Sequence, residues 1–313
     1  SAAAPLRALR RGRARRRRAT ARQQCRTGGP VPQAGVPRRQ FSKVTYRSAG
    51  RTYAYKVASM SPPSDEMHQS TLIYLHGFQG DGDGYFDPEN ELDFPWRTGD
   101  NFAPGLRVVV PTAQELVMPW GEWANAWYTY KDELDNVIGD RSTLEETRQF
   151  LSTIVDVEVA RCGGDGSRVF LGGVSQGCSA ALDTYLREAP RLRLGGFVGS
   201  VGLFPDESLG FSGAAEALQR LLADRPQASR PVWLQCATDD YETVPYKLVE
   251  RTLEPVRGRL AGLEVRPVSG RGHDVWDWEI RMLNKFLRKY ASYAFSSATK
   301  PGSRMMRRLV AAW

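Results

Sequence analysis

Residues 167–177 read Ser-Arg-Val-Phe-Leu-Gly-Gly-Val-Ser-Gln-Gly, and this stretch decides the fold. Its first half has the β-branched, apolar character of a buried strand, its end reads Gly173-Val-Ser-Gln-Gly177, and a helical pattern follows at residues 178–188. Strand, G-x-S-x-G and helix in that order are typical of a nucleophile elbow, a strained turn that lifts a serine above a sheet edge. The two glycines let such a turn close without a Cβ clash. The stretch therefore predicts that Ser175 is a nucleophile.

Short apolar runs alternate with helical stretches on both sides of this elbow. The runs are β-branched or aromatic and end at Gly, Pro or polar residues, as buried strands do. The predicted strands are residues 72–75, 108–110, 169–171, 197–201 and 232–234. The predicted helices are residues 142–161, 178–188, 214–223, 246–260 and 275–290, the first opening on a capping box of Ser142 and Glu145. Alternation of this kind predicts an α/β fold, a mostly parallel sheet with helices on both faces.

The folded domain is predicted to span residues 41–296 and to open with a hairpin. Apolar residues alternate on both sides of Ala49-Gly50, which indicates two antiparallel strands. Residues 1–40 contain twelve arginines and no acid, and residues 297–313 contain four basic residues and no acid. Too few apolar side chains are present there to offset the entropy of ordering the chain. We expect a disordered arginine-rich head and a basic tail.

The net charge of +8 is concentrated at these two ends, since the middle of the chain is acidic once they are set aside. The head is open to three interpretations: an organellar transit peptide, an arm for anionic lipid or nucleic acid, and a solvated tail. We expect peripheral contact with anionic membrane at most, and no specific nucleic acid. The four cysteines form no CxxC pair, and no apolar run reaches the length of a membrane-spanning helix. A cytoplasmic protein is expected, or an organellar one if the head is a transit peptide.

A serine nucleophile needs a base, and the chain offers three histidines. His68 lies in a polar loop and is interpreted as a surface residue. His76 ends a predicted strand and precedes Gly77 and Phe78, which suits a loop that supplies a backbone N–H. His273 follows the apolar run 263–268 and precedes the last helix, where a base returns in the chain order Ser, acid, His. We therefore predict His273 as the base.

The acid should stand at a strand end between Ser175 and His273. The stretch Val232-Trp-Leu-Gln-Cys-Ala-Thr-Asp-Asp ends in Asp239 and Asp240, and either could fill the role. The acid would orient the imidazole and stabilise its charged form. Backbone N–H groups would hold the oxyanion, and we assign them to Phe78 and Gln176.

Together these stretches resemble the acyl-protein thioesterase and carboxylesterase family, also called the phospholipase/carboxylesterase family, over residues 41–290. The matching stretches are Leu75-His-Gly, Arg107-Val-Val-Val-Pro-Thr-Ala, Ala126-Trp-Tyr, the elbow, Asp240 with Val244-Pro245, and Gly272-His273. The resemblance implies an α/β-hydrolase fold and no cofactor. It also implies a substrate pocket near His76, Gly77 and Trp127, although Trp127 is as easily an ordinary core residue.

The chain departs from the family pattern in places that leave its substrate open. Cys178 stands where the family usually has a further glycine, and the first loop reads Gly-Phe-Gln-Gly-Asp-Gly-Asp-Gly. In the family two residues separate the acid from the valine that corresponds to Val244. Counting this spacing back from Val244 reaches Tyr241, whereas counting forward from the strand reaches Asp240, so one residue is inserted between them. Loops absorb insertions, so Asp240 is the predicted acid. Asp239 should point away and cap the next turn through its own backbone.

Two functions follow from these patterns. The first is a serine hydrolase that cleaves carboxylic esters or acyl thioesters, including acyl groups on lipidated proteins and small lipid esters. The second is a catalytically weak scaffold of the same fold that docks through its basic ends, because fold alone does not determine function. A calcium site in the acidic run 81–87 is not expected, since Tyr85 and Leu92 stand where a calcium loop needs ligands. No metal is predicted.

Overall fold

A computed structural model describes residues 38–48, 51–62, 68–87, 105–270, 272–274 and 276–298, and the structural statements below concern these residues. All of them lie in one compact unit, Gly35–Trp313. The first strand begins at Arg38, slightly before the predicted domain boundary, and the last helix ends at Ala298. Most of the predicted head and tail lies outside the described residues.

The described part of the chain contains ten strands. They are β1 (Arg38–Ser48), β2 (Arg51–Ser61), β3 (Ser70–Leu75), β4 (Leu106–Pro111), β5 (Glu115–Val117), β6 (Trp123–Asn125), β7 (Val169–Val174), β8 (Gly196–Ser200), β9 (Val232–Ala237) and β10 (Leu263–Val268). Eight of them form one sheet in the order β1-β2-β4-β3-β7-β8-β9-β10. The six strands from β4 to β10 in that order are parallel. β1 and β2 form an antiparallel hairpin at one edge, and β5 pairs only with β6.

Helices pack on both faces of this sheet. They are α1 (Arg141–Arg161), α2 (Gln176–Leu192), α3 (Ala214–Ala223), the single turn α4 (Arg225–Ala228), α5 (Tyr246–Leu253) and α6 (Trp276–Ala298). Leu171 of β7 packs in the core that contains α1 and α2, whereas its neighbour Phe170 packs in the opposite core against Phe286 of α6. Because successive strand residues face opposite sides, β7 must be apolar throughout. The predicted α/β architecture, with its mostly parallel sheet and N-terminal hairpin, is confirmed.

Some element boundaries differ from the sequence prediction. α1 is capped by Asp140, whose side chain accepts the N–H of Ser142 at 2.8 Å, so the predicted capping box is not the cap. α5 ends at Leu253 rather than residue 260, and a 3₁₀ turn containing Pro255 follows, because proline has no N–H with which to continue a helix. The β5–β6 pair was not predicted, since strands of three residues are too short to show a period.

The parallel strands bring four chain segments together at the carboxyl ends of the strands, which form one edge of the sheet. β3, β7, β9 and β10 all end there, and the residues that follow them are His76, Ser175, the pair Asp239-Asp240 and the loop that contains His273. Ligands and reactive groups in open α/β sheets lie at this carboxyl edge. Among the described helices, none is both long and apolar enough to cross a bilayer.

Candidate active site

Ser175 stands on a strained turn between β7 and α2. Its backbone has φ 55° and ψ −125°, a conformation that non-glycine residues rarely adopt. Its N–H donates to the carbonyl oxygen of Ser200 at 2.9 Å, which ties the turn to β8. A Cβ on Gly177 would lie 2.2 Å from the carbonyl oxygen of His76, and one on Gly173 would lie 2.7 Å from the backbone of Gly177. The glycines of the motif are therefore required by close backbone contacts.

Ser175, His273 and Asp240 form one hydrogen-bonded series. Nε2 of His273 lies 3.0 Å from Oγ of Ser175, and Nδ1 lies 2.6 Å from Oδ2 of Asp240. An ionised carboxylate can only accept, so the ring proton is on Nδ1 and the lone pair of Nε2 faces the serine hydroxyl. This arrangement can take a proton from Ser175 and stabilise the imidazolium that results.

The carboxylate of Asp240 is held in its charged form. Burial by itself raises the pKa of Asp240, but the hydrogen bond from His273 and the N–H groups of Thr243 and Val244 more than offset this, so the pKa is lowered overall. Those N–H groups donate at 3.0 Å each. Between Asp240 and these two residues the chain passes through Tyr241, which is 78% exposed. Asp240 is therefore an anion at neutral pH, as an acid that orients an imidazole must be.

Asp239 makes a contact that the sequence did not predict, and the predicted cap on the following turn stays a prediction. Its Oδ2 accepts the N–H of Gly270 at 2.7 Å, on the loop that leads to His273. In the turn after β9 the two side chains reach different partners, Gly270 for Asp239 and His273 for Asp240. The sequence drew attention to Asp239 through the acidic pair, but not to its contact with Gly270.

His76 is fully buried and is not available as a base. Its Nε2 accepts the N–H of Ala113 at 2.9 Å, so the ring proton is on Nδ1, which lies 2.7 Å from the carbonyl oxygen of Gly77. Burial lowers the pKa of His76 to about 4, although the contact with Gly77 acts in the opposite direction. The ring is neutral at pH 7 and fixes the loop after β3.

Trp127 joins that loop to the elbow. Its indole Nε1 donates to the carbonyl oxygen of His76 at 2.8 Å, and its backbone N–H donates to Oε1 of Gln176 at 2.9 Å. The side-chain amide of Gln176 in turn donates to the carbonyl oxygen of Tyr128 at 2.9 Å. Trp127 and His76 have no exposed surface, and their role in a substrate pocket stays a prediction. The sequence did not reveal this bridging function of the Gln176 side chain.

The predicted oxyanion donors lie on the two segments connected by Trp127. Gln176 is the first residue of α2, so its N–H has no acceptor within the helix. Phe78 follows Gly77, where a Cβ would lie 3.4 Å from Cβ of Ser175, so this loop passes directly beside the serine. Both assignments stay predictions.

Within the described ranges no three His, Cys, Asp or Glu residues are grouped as for a metal ion, and Asp81 accepts the N–H of Gly84 in a local turn.

The strand order, the strained serine and its hydrogen-bonded partners are those of the α/β-hydrolase class. Within that class the chain belongs to the phospholipase/carboxylesterase family, whose sequence profile matches residues 58–291. The family resemblance expected from the sequence is thus confirmed, and the family is one of hydrolases.

Individual proteins with similar sequences or structures support the same family. Acyl-protein thioesterase 1 homolog 1 of Dictyostelium discoideum is 23% identical over 227 residues, which cover 71% of this chain and 91% of that protein. Acyl-protein thioesterase 1 of Yarrowia lipolytica is 27% identical over 146 residues, which cover 46% of this chain and 61% of that protein. The crystal structure of Zea mays acyl-protein thioesterase 2 superimposes with a TM-score of 0.58 at 18% identity, covering 75% of this chain and 98% of that one. At that identity the structural likeness establishes the fold alone.

Proposed function

We propose that this protein is a serine hydrolase that cleaves carboxylic esters or thioesters through an acyl-enzyme on Ser175. The observation that carries the proposal is the continuous hydrogen bonding from Ser175 through His273 to the buried Asp240. It joins three residues far apart in the chain in an arrangement that activates a serine hydroxyl.

The reaction follows from the positions of these groups. Oγ of Ser175 attacks the carbonyl carbon while its proton passes to Nε2 of His273, and Asp240 stabilises the imidazolium. The N–H groups of Phe78 and Gln176 hold the oxyanion, one such donor typically being worth about 10² to 10³ in kcat. The imidazolium then protonates the departing alcohol or thiol, which leaves an ester on Ser175. Water, deprotonated by His273, attacks that ester, and the imidazolium returns the proton to Oγ of Ser175 as the carboxylic acid is released.

The finer proposal for the substrate is an acyl group on a protein cysteine. Relatives over most or part of the chain carry the name acyl-protein thioesterase, and small carboxylic esters are the alternative within the same chemistry. The two differ in the leaving group, a thiol or an alcohol, while the acyl-enzyme is the same.

A competition panel tests both levels of the proposal. The full-length chain and its Ser175→Ala variant are assayed with p-nitrophenyl esters and with acyl thioesters, including an S-palmitoylated peptide, at several chain lengths. A higher kcat/KM for the long-chain thioester supports a protein thioesterase, and a higher value for short esters favours a carboxylesterase. Turnover that survives in pure Ser175→Ala protein excludes the mechanism.

The scaffold alternative lacks a supporting observation among the described residues. Labelling by a fluorophosphonate probe distinguishes a scaffold from a serine hydrolase, because only an activated serine reacts.

Membrane contact through the basic ends also stays a prediction, since most of those residues lie outside the described ranges. It is tested by sedimentation with anionic vesicles at low and high salt. The cytoplasmic or organellar location stays a prediction that imaging of the tagged full-length chain can check.

A further inference from the structure

We propose that Asp239 is a positioning residue, which holds the loop between β10 and α6 so that His273 stays in line between Ser175 and Asp240. The inference rests on the proposed function, because it assigns Asp239 a part in keeping that base in place. It gives the two adjacent aspartates separate tasks, one on the backbone of the loop and one on the imidazole.

Three consecutive residues after β9 contact the last residue of β10 and two residues of the loop that follows it. The N–H of Thr238 donates to the carbonyl oxygen of Val268 at 2.8 Å, which continues the pairing of β9 with β10. The next residue, Asp239, accepts the N–H of Gly270 at 2.7 Å. The third, Asp240, contacts the ring of His273 at 2.6 Å. The Asp239 contact is thus the middle point of a series that starts in the sheet and ends at the base.

The loop needs such a point because its own backbone is permissive. Gly270 and Gly272 have φ of 101° and 56°, conformations that glycine adopts without strain. Because glycine has more backbone freedom than any other residue, these two positions do little to restrict the path of the loop. A Cβ on Gly270 would meet no atom within 4 Å, so the side of the backbone that a side chain would occupy is open. A carboxylate that accepts a backbone N–H forms a charge-assisted hydrogen bond, roughly twice as strong as a neutral one.

The consequence for the reaction is a geometric one. His273 has to keep contacts of 3.0 Å and 2.6 Å on its two nitrogens at once, and the second leaves little room for displacement. A displacement of about 1 Å at a reacting group can cost about 10²-fold in rate. Loss of the bond to Gly270 should therefore reduce kcat and leave KM nearly unchanged, because Asp239 contacts the backbone of the loop and not the reacting groups of Ser175 and His273.

The test compares Asp239→Ala with Asp239→Asn in the full-length chain. Asparagine retains an oxygen that can accept the Gly270 N–H, whereas alanine does not. The matched control is Asp165→Ala, since Asp165 also accepts a backbone N–H, that of Ser167 at 3.0 Å, but before β7 at the opposite edge of the sheet. The readouts are kcat and KM on a soluble ester and the low-field NMR signal of the Nδ1 proton of His273.

We expect Asp239→Ala to lose about 10²-fold in kcat and to weaken the low-field signal, with Asp239→Asn losing less than about tenfold. The control should keep both readouts. A wild-type kcat and signal in Asp239→Ala, or an equal loss in Asp165→Ala, overturns the inference. If Asp239→Ala does not fold, hydrogen exchange at Gly270 in the wild type decides: a protected amide supports the bond, and an amide that exchanges as an exposed one refutes it. Ser175→Ala in the same assay separates this outcome from failure of the proposed function.

Discussion

The hydroxyl of Tyr74 donates a hydrogen bond to Oε1 of Glu279, and both side chains are completely buried between β3 and α6. Burial raises the pKa of Glu279 to about 8, although the hydrogen bond from Tyr74 acts in the opposite direction. The folded chain therefore keeps this carboxyl protonated at a pH where the unfolded chain has released the proton. Folding becomes less favourable as the pH rises from the ordinary glutamate range towards 8.

We expect Glu279→Gln to be more stable than the wild type at pH 8 by a few kcal/mol, and the difference to shrink towards pH 5. Glutamine keeps the acceptor for Tyr74 but has no proton to lose. Urea denaturation at both pH values measures the effect. The control is Glu216→Gln, the same change of side chain on the exposed face of α3. A difference that does not change with pH would show that Glu279 does not titrate as described.

The contribution of His76 to folding stability changes with pH in the opposite direction. Its pKa of about 4 in the folded chain is below the ordinary value of 6.5, so between these values the unfolded chain binds the proton and the folded chain does not. Stability is therefore lost as the pH falls from about 6.5 to 4, and the loss between pH 7 and 5 should be about 2 kcal/mol. His76→Gln should abolish this part of the pH dependence, measured as the difference between the two urea midpoints. His68 has a lowered pKa as well and remains in both proteins, so it cancels in the comparison.

Two glycines beside the serine should respond differently to alanine. At Gly77 the added methyl group would lie 3.4 Å from Cβ of Ser175, an ordinary contact, so the protein should fold. The methyl group would occupy space next to the nucleophile, and acylation should slow by about 10- to 100-fold. At Gly177 it would lie 2.2 Å from a carbonyl oxygen, which should cost about 3 kcal/mol or more in stability. Thermal unfolding and the rate of fluorophosphonate labelling distinguish the two, and a fully active Gly77→Ala would contradict the placement of the loop.

Ser175→Ala should remove turnover by a factor on the order of 10⁶ and leave the fold intact. Alanine lacks only the hydroxyl, and the positive φ of residue 175 is imposed by its surroundings in either protein. Circular dichroism and melting temperature check the fold, and ester hydrolysis checks the activity. The control is Ser208→Ala, an exposed serine in the 3₁₀ turn Glu207–Leu209, which should retain wild-type rates.

Asp240→Asn should lower kcat by about 10⁴, because an amide no longer fixes the imidazole with its proton on Nδ1. Asp239→Asn keeps its acceptor oxygen and should lose far less. The comparison of kcat between these two variants tests the assignment of the acid, since the residues differ by one position in the same loop. If the two phenotypes were exchanged, Asp239 would be the acid.

Features that depend on neighbouring residues could be predicted from the sequence alone. The elbow was visible because a strand, two glycines and a helix stand next to each other around Ser175, and close backbone contacts demand those glycines. His273 could be chosen because the chain has three histidines and only one stands after the last strand. The α/β fold could be predicted because strands and helices alternate along the chain. The spacing of apolar residues in each element reflects the geometry of that strand or helix alone.

Features that join distant residues were decided only by the tertiary structure. Whether Asp239 or Asp240 meets His273 depends on the direction in which each side chain leaves the end of β9, and the partner is 33 residues away from Asp240. The bond from Gly270 to Asp239, the burial of Trp127 and the contact between Tyr74 and Glu279 depend on which strands are neighbours in the sheet. Local patterns determine strands, turns and helices, whereas side-chain pairs across the sheet form only after the strand order has set the distances between them.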